Sequence, residues 1–419
     1  MKYIIKGGKK LTGKILVSGN KNSVFPCVAA SLLTEDEVIL ENISDIQDTE
    51  VLIATVKKIG VGITKAGSVL KIKATNIAHT TLSANLMGKL RGSMVLVGAV
   101  LARKGKVHFY HPGGDVIGQR SIEEHLNGFK ALGANLKRED LQFSLNYDGE
   151  NRGHCSIFLS ESSVTATENF ILASVLGSKM LTLKNCPREP HVVDLCKMLV
   201  AMGAKISGMG TDTLQITGVK KLNGVRFKIG IDHVEVGTYA VASAITGGEV
   251  TISGVDSTDL DPVLEPFKRF GVKIVRSVSE IKVSANKLRS VPKITTNIWP
   301  GFPTDLMSAA IVLATQSKGV TLCHDWMYES RMFFVDKLIS MGAKITIADP
   351  HRVLVYGPNR LKGRSLATPD IRAGMALVLA ALVARGESII NQAELIERGY
   401  EDVCGKLKSL GADIERDES

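Results

Sequence analysis

Residues 57–63 read Lys57-Lys58-Ile59-Gly60-Val61-Gly62-Ile63, and the phrase returns five more times. It stands as Lys130-Ala131-Leu132-Gly133-Ala134-Asn135-Leu136, as Val200-Ala201-Met202-Gly203-Ala204-Lys205-Ile206 and as Lys268-Arg269-Phe270-Gly271-Val272-Lys273-Ile274. The last two copies are Ile339-Ser340-Met341-Gly342-Ala343-Lys344-Ile345 and Lys408-Ser409-Leu410-Gly411-Ala412-Asp413-Ile414. The glycines lie 73, 70, 68, 71 and 69 residues apart. A bulky residue, a glycine and then a short β-type run describe an amphipathic helix closed by a left-handed cap and followed by a strand. Six copies at that regularity mark a repeated supersecondary unit.

Working outward from the glycine, each copy carries two more parts in the same order. An almost wholly apolar helix comes first: 24–33, 93–102, 170–177, 239–246, 306–315 and 373–384. A helix without a polar face is one buried on all sides. A strand follows, at 38–43, 107–111, 180–184, 250–253, 320–323 and 388–391, and then the amphipathic helix, such as 123–132 or 400–410. The unit is therefore βα-type, about 70 residues long by these spacings, with one buried and one surface helix. One hydrophobic core stops growing at roughly 250–300 residues, so six units in 419 residues divide into two lobes of three.

Composition sets the outer bounds. The chain is 44% hydrophobic and 22% charged, which is globular rather than disordered or fibrous. Its longest uncharged apolar run, 373–384, is too short to span a bilayer. The first 14 residues carry five lysines around a short apolar pair, with no signal-peptide core. Six cysteines, at 27, 155, 186, 196, 323 and 404, form no Cys-x-x-Cys pair. That disfavours zinc and a disulfide framework and fits a reducing cytoplasm. The net charge of +10 is dispersed, without the basic cluster or aromatic-studded strand of a nucleic-acid binder. It suits a cleft that gathers small anions.

The heads of the buried helices are polar: Asn20-Lys21-Asn22, Arg91-Gly92, Ser163-Val164-Thr165, Asp232-His233, Thr304-Asp305 and Asp370-Ile371-Arg372. Ordinary N-capping accounts for Thr304 or Asp370 taken singly. It does not account for Lys21, Arg91 and Arg372, because a cation near a helix N-terminus opposes the dipole. An anion bound there by helix N–H groups and side chains together does account for them. Two other patterns lead nowhere. Gly8 to Lys14 resembles a Walker A string, but Ile15 stands where a magnesium-binding hydroxyl belongs and a strand follows. His108 and His111 lie on a strand beside a Pro-Gly-Gly turn, without further ligands.

These residues, with Leu90-Arg91-Gly92-Ser93, Pro112-Gly113-Gly114, Ile117-Gly118-Gln119-Arg120, Phe302-Pro303-Thr304-Asp305, Glu329-Ser330-Arg331, Asp370-Ile371-Arg372-Ala373 and Arg398-Gly399-Tyr400-Glu401, resemble the enolpyruvyl transferase family over the whole chain. The resemblance implies a two-lobed inside-out α/β barrel, with residues 1–21 and 230–419 in one lobe and 22–229 in the other, which carries a lid loop at 111–121. It implies enolpyruvyl transfer from phosphoenolpyruvate to the 3′-hydroxyl of UDP-N-acetylglucosamine, at the entry to peptidoglycan precursor synthesis. The hydroxyl adds to C2, C3 takes a proton, and phosphate leaves from a tetrahedral intermediate, with no metal or organic cofactor and no nucleic-acid or membrane partner. Lys21, Arg120, Arg331, Arg372 and Arg398 match the phosphoenolpyruvate-binding positions; bidentate arginines suit a phosphate and a carboxylate. Asn22, Arg91, Arg120, Ser163, Val164, Thr165, Asp305 and Met327 match the nucleotide-sugar positions. Asp305 matches the general base, a role that helix capping at the same residue does not exclude. Lys21 and Asp115 complete the catalytic set.

The chain departs from the family pattern in two places. The family's lid loop usually carries a cysteine, linked to proton transfer and product release and alkylated by the epoxide fosfomycin; here the position is Asp115. Around the nucleotide, Thr165 replaces a glycine, Ser121-Ile122-Glu123-Glu124 replaces Pro-Val-Asp-Leu, and His233 replaces an arginine. Transfer to a different acceptor (another nucleotide or 3-phosphoshikimate) and a non-catalytic nucleotide-sugar-binding paralogue therefore stay open at this point.

Overall fold

The computed structural model describes residues 1–115, 117–147, 153–255 and 260–418. They form two compact units. One comprises Met1–Ser18, Asp115–Gln119 and Ile231–Ser419, the other Gly19–Gly114 and Arg120–Gly230. Each holds three sheets and one hydrophobic core.

The all-round apolar helices occupy the middle of their units, as their sequences require. In one unit Lys21–Ser31, Leu96–Lys104 and Val164–Ser174 pack on one another; in the other His233–Thr246, Met307–Thr315 and Ile371–Val383 do so. Every residue of Met307–Thr315 is buried, and only Val383 escapes in Ile371–Val383. Full burial of one large aliphatic side chain is worth about 1.5–3 kcal/mol, so each helix triplet contributes substantially to its core, which the sheets and surface helices complete. The contact is close. At Gly98 a Cβ would come within 2.3 Å of the Asn169 carbonyl oxygen, and the Gly98 N–H donates to Asn169 Oδ1 at 2.7 Å. The sheets lie outside the helices, each with one face on the core, as the alternating burial of Thr213–Thr217 shows. Helices inside and sheets outside make the expected inside-out α/β architecture.

All six repeat glycines have positive φ, from 90° to 104°, the left-handed cap that the recurring phrase requires. Five of the six sheets also share one plan, an outer strand added in parallel to a strand that pairs antiparallel on its other side. In the sixth, the three-stranded sheet of Lys106–Tyr110, Asn135–Glu139 and Gln142–Asn146, a parallel bridge from Thr81 to His108 takes the place of that strand.

Besides the short segment Asp115–Gln119, the chain passes between units at Ser18/Gly19 and Gly230/Ile231, and the parallel strands are exchanged there. Thr12–Leu16 precedes the first buried helix in sequence but pairs with Glu249–Ser253 in the first unit. Arg226–Lys228 pairs with Val38–Glu41 in the second. Each crossing strand is tied within its own unit: Asp232 N–H donates to Ser18 O at 2.9 Å, and Asn20 N–H to Gly230 O at 2.7 Å. The breaks at Ser18/Gly19 and Gly230/Ile231 place Lys21 in the second unit, because Lys21 is the first residue of a helix belonging there. Conversely, Asp115–Gln119 of the expected lid goes with the first unit, to which its contacts are made; Val116 lies outside the described residues.

Three local expectations shift. The buried helix expected at 93–102 begins as a 3₁₀ turn, Arg91–Val95, and becomes α-helical at Leu96. The helix expected at 400–410 is only Val403–Ser409, because Asp402 takes a left-handed backbone and caps Gly405 N–H with its carboxylate. Thr304 is not a cap: Pro303 precedes the turn, and the Thr304 hydroxyl bonds elsewhere.

Candidate active site

In the first unit the chemistry gathers around Asp305. Pro303 leads into the 3₁₀ turn Thr304–Leu306, which presents Asp305 just ahead of the buried helix Met307–Thr315. Two arginines converge on its carboxylate. Arg331 Nη2 donates to Oδ1 at 3.1 Å; Arg372 Nε donates to Oδ2 at 3.0 Å, and its Nη2 forms an ion pair with the same oxygen at 2.9 Å. Arg372 is held in the first turn of Ile371–Val383, whose N-cap Asp370 accepts from Arg372 N–H and Ala373 N–H. Each guanidinium also lies over an aromatic ring, Arg372 over Tyr400 at 5.0 Å and Arg331 over Tyr328 at 5.5 Å.

Both arginines are almost fully buried. Burial pulls their pKa values down, and the negative charge of Asp305 more than offsets it, so both stand above the ordinary arginine value. Their donor capacity exceeds what Asp305 takes up: Arg331 Nε and Arg372 Nη1 are buried without a hydrogen-bond acceptor. Buried N–H groups nearly always find acceptors. Two guanidiniums with donors to spare, beside a carboxylate, are equipped to take a further anion.

The segment Asp115–Gln119 lies on the same unit. Asp115 Oδ1 pairs with Arg398 Nη1 at 2.8 Å. Ser330 N–H donates to Ile117 O at 3.0 Å, and Gln119 N–H to Glu329 Oε2 at 3.2 Å. Gly118 has φ +141°, and a Cβ there would sit 2.1 Å from Glu329 Oε2, so glycine is required. Met327 belongs to this unit too, its N–H donating to Asp325 Oδ1 at 3.0 Å. Asp232 caps His233–Thr246 through Val234 and Glu235 N–H; the buried His233 ring lies against Trp299, and its pKa is lowered by burial.

The second unit carries the other expected residues. Lys21 opens the helix Lys21–Ser31, capped by the Asn20 side chain through Asn22 N–H, and its Nζ pairs with Asp48 Oδ2 at 2.6 Å, both groups buried. Arg91 Nη2 donates to Ser121 O at 2.9 Å, and Arg120 is half-buried beside it in sequence. Ser163 caps the helix Val164–Ser174 through Ala166 N–H, which leaves Val164 and Thr165 half-buried in the first turn. The hydroxyl of Thr165 meets His125 Nε2 at 3.0 Å. Burial, with Arg91 adding to it, pushes the His125 pKa down to about 3, so the ring is neutral. The acidic residues that replace the family's pattern are compensated locally. Glu123 pairs with Arg138 at 2.9 Å, and Glu124 accepts from the Ser160 hydroxyl.

Cations at helix heads are thus present as expected, but each has a protein partner that local sequence does not announce. Asp48, the partner of Lys21, lies on the helix Gln47–Lys58, and Arg91 bonds the Ser121 carbonyl oxygen. The Arg331, Arg372 and Asp305 constellation is assembled from two successive repeats: one contributes Asp305 at its buried-helix head and Arg331 in the loop before its surface helix, the next contributes Arg372 at its helix head.

Within each unit, three repeated α/β elements present polar and charged helix heads suited to small anionic substrates. The family model described as EPSP synthase (3-phosphoshikimate 1-carboxyvinyltransferase) matches residues 5–407, and the chain belongs to this enolpyruvyl transferase family. Within the family it is 46% identical over 422 residues to the UDP-N-acetylglucosamine 1-carboxyvinyltransferase of Borreliella burgdorferi, covering 99% of this chain and 98% of that one. It is 44% identical over 425 residues to the enzyme of the same name from Treponema denticola, with the same coverage. Among solved structures, the enolpyruvyl transferase NikO from Streptomyces tendae superposes with a TM-score of 0.88 at 24% identity, over 99% of this chain and 98% of that one. EPSP synthase from Acinetobacter baumannii superposes with a TM-score of 0.80 at 18% identity over both whole chains. These two likenesses bear on the fold.

Proposed function

We propose that the chain transfers the enolpyruvyl group of phosphoenolpyruvate to the 3′-hydroxyl of UDP-N-acetylglucosamine with release of phosphate, as the first committed step of peptidoglycan precursor synthesis. The observation that carries the reading is the carboxylate of Asp305 clamped by two buried arginines that have donors to spare. A hydroxyl nucleophile needs a base, and a carboxylate within hydrogen-bond reach serves. The phosphate and carboxylate of phosphoenolpyruvate need fixed cations, and planar guanidiniums bind both groups bidentately. Arg331, Arg372 and Arg398, with Lys21 and Arg120, are assigned to those anions. Asn22, Arg91, Arg120, Ser163, Val164, Thr165, Asp305 and Met327 are assigned to the nucleotide sugar.

In the addition, the acceptor oxygen bonds to C2 and its proton passes to Asp305, while C3 gains a proton from an acid, a part assigned to Lys21 or Asp115. In the elimination, C3 loses a proton and the C2–O bond to phosphate breaks, restoring the double bond. The chain's own residues supply placement and charge for both steps. A cytoplasmic site of action accords with six free thiols. The deciding experiment is phosphate release from phosphoenolpyruvate with UDP-N-acetylglucosamine, UMP or 3-phosphoshikimate as acceptor. Turnover confined to the first is expected; preference for either of the others would reassign the acceptor.

A further inference from the structure

We infer that Asp325 is a positioning residue for the reaction, holding through Thr304 the turn that presents Asp305 and through Met327 the loop that ends at Arg331. The inference rests on the functional reading above, in which Asp305 receives the acceptor's proton.

Asp325 has no exposed surface. A buried carboxylate is tolerated only when its oxygens are hydrogen-bonded. Here each oxygen has a donor, and both donors belong to the candidate site. The Thr304 hydroxyl donates to Oδ2 at 2.5 Å, the short length of a charge-assisted O–H bond. Met327 N–H donates to Oδ1 at 3.0 Å. The backbone of Asp325 is tied down as well: its N–H donates to His351 O at 2.9 Å, and its carbonyl oxygen bonds His351 Nδ1 at 2.7 Å. His351 lies in the turn between Lys344–Asp349 and Arg352–Gly357, so the anchor is the sheet itself.

The geometry forms a closed ring of restraints. Thr304 and Asp305 are consecutive residues of one 3₁₀ turn, so fixing the Thr304 side chain fixes the backbone from which Asp305 projects. The chain from Asp325 runs through Met327 to Arg331, and Arg331 returns to Asp305 Oδ1. One buried carboxylate therefore sets both the base and one of its guanidinium partners. A threonine beside the base would serve as a helix cap if its role were only local, but its hydroxyl reaches 21 residues along the chain to Asp325 instead.

The test uses the full chain, with steady-state phosphate release from phosphoenolpyruvate and UDP-N-acetylglucosamine and with thermal unfolding. Thr304→Val removes the hydroxyl at nearly constant volume; Thr304→Ser keeps it. The expected result is a kcat about 10–100-fold lower for Thr304→Val with the KM for phosphoenolpyruvate moved less than about threefold, since displacement of a reacting group acts on kcat. Thr304→Ser should stay within about threefold of the parent. The double variant Thr304→Val/Asp325→Asn should be no worse than the worse single, because the two act as one unit. A Thr304→Val kcat within about threefold of the parent, equal losses in the Ser and Val variants, or additive losses would each overturn the inference. Should Thr304→Val not fold, Asp325→Asn carries the test: a kcat loss of about tenfold with an unchanged Tm is expected, and full activity overturns the assignment. Absence of turnover by the parent protein refutes the functional reading and this inference with it. An active parent with an equally active Thr304→Val refutes only the role of Asp325.

Discussion

Asp305 divides its two oxygens between arginines that approach from different repeats. Its replacement by alanine would leave two buried cations without their partner, so Asp305→Asn is the cleaner probe. The expected outcome is a kcat about 10²–10⁴-fold lower, with phosphoenolpyruvate binding retained, measured by steady-state kinetics alongside calorimetry. A loss below about tenfold, with chemistry shown to limit the rate, would confine Asp305 to holding Arg331 and Arg372. Asp115 supports a second prediction. A carboxylate is a poor nucleophile towards an epoxide where a thiolate is a strong one. Five of the six cysteines are buried and Cys155 is partly so, and none occupies the loop position. Intact-protein mass spectrometry after incubation with fosfomycin and UDP-N-acetylglucosamine should show no adduct on the parent and a single adduct on Asp115→Cys. An adduct on the parent, with loss of activity, would contradict the prediction. Residue types at this scale were readable in the sequence. Their partners were not, because Asp48, Asp325 and Thr165 meet Lys21, Thr304 and His125 only across the fold.

At the scale of elements, the surface helix Glu123–Ala131 docks on the buried helix Val164–Ser174 through a neutral, buried His125. Its folded pKa of about 3 lies well below the ordinary 6.5, so between those values the unfolded chain binds a proton that the fold refuses. The contribution to stability is complete above about pH 6.5 and is lost as pH falls towards 3. Glu168, on the same buried helix, acts in the opposite sense, because burial raises its pKa and favours the proton in the fold. The comparison that isolates His125 is therefore variant against parent at each pH. Urea unfolding at several values between pH 7 and 4 should show His125→Gln gaining on the parent as pH falls; a constant difference would contradict the assignment. The repeated helix and its glycine cap followed from the six-fold phrase. The helix starts at Leu96 and Val403 did not, since a 3₁₀ lead-in and a left-handed Asp402 depend on what the backbone packs against.

For the whole molecule, the exchanged strands make the two units unequal. Residues 19–230 contain all the strands of their own three sheets. The other unit depends on the N-terminal residues. Lys2–Lys6 lies between Glu387–Asn391 and Asp413–Asp417, and Thr12–Leu16 completes a second sheet. A fragment 19–230 is expected to fold by itself with a cooperative thermal transition. A fragment 231–419 is expected to lack tertiary structure until residues 1–18 are joined to it, because removal of a central strand exposes two rows of unpaired backbone groups. Near-UV circular dichroism and amide exchange of the three fragments check this; a cooperatively folded 231–419 would contradict it.

The sequence by itself determined the repeat, its six-fold count, the buried helices and the residue types at their heads. Each of these is a local or periodic property: a helix apolar all round has one place to go, and a glycine with positive φ has one cap to form. It also carried Lys21, Arg91 and Arg372 as candidates, because a cation at a helix N-terminus needs an anion to excuse it; Arg331 and the base role of Asp305 entered through the family resemblance. Only the tertiary structure decided where the chain crosses between units and which strand joins which sheet. That choice turns on backbone hydrogen bonds such as Thr12–Leu16 with Glu249–Ser253, between segments more than 230 residues apart that either sheet could have satisfied. It likewise decided that Asp325 and Asp48 stand behind the candidate site, since the partner of a buried charge is chosen by packing in three dimensions and leaves no period in the sequence.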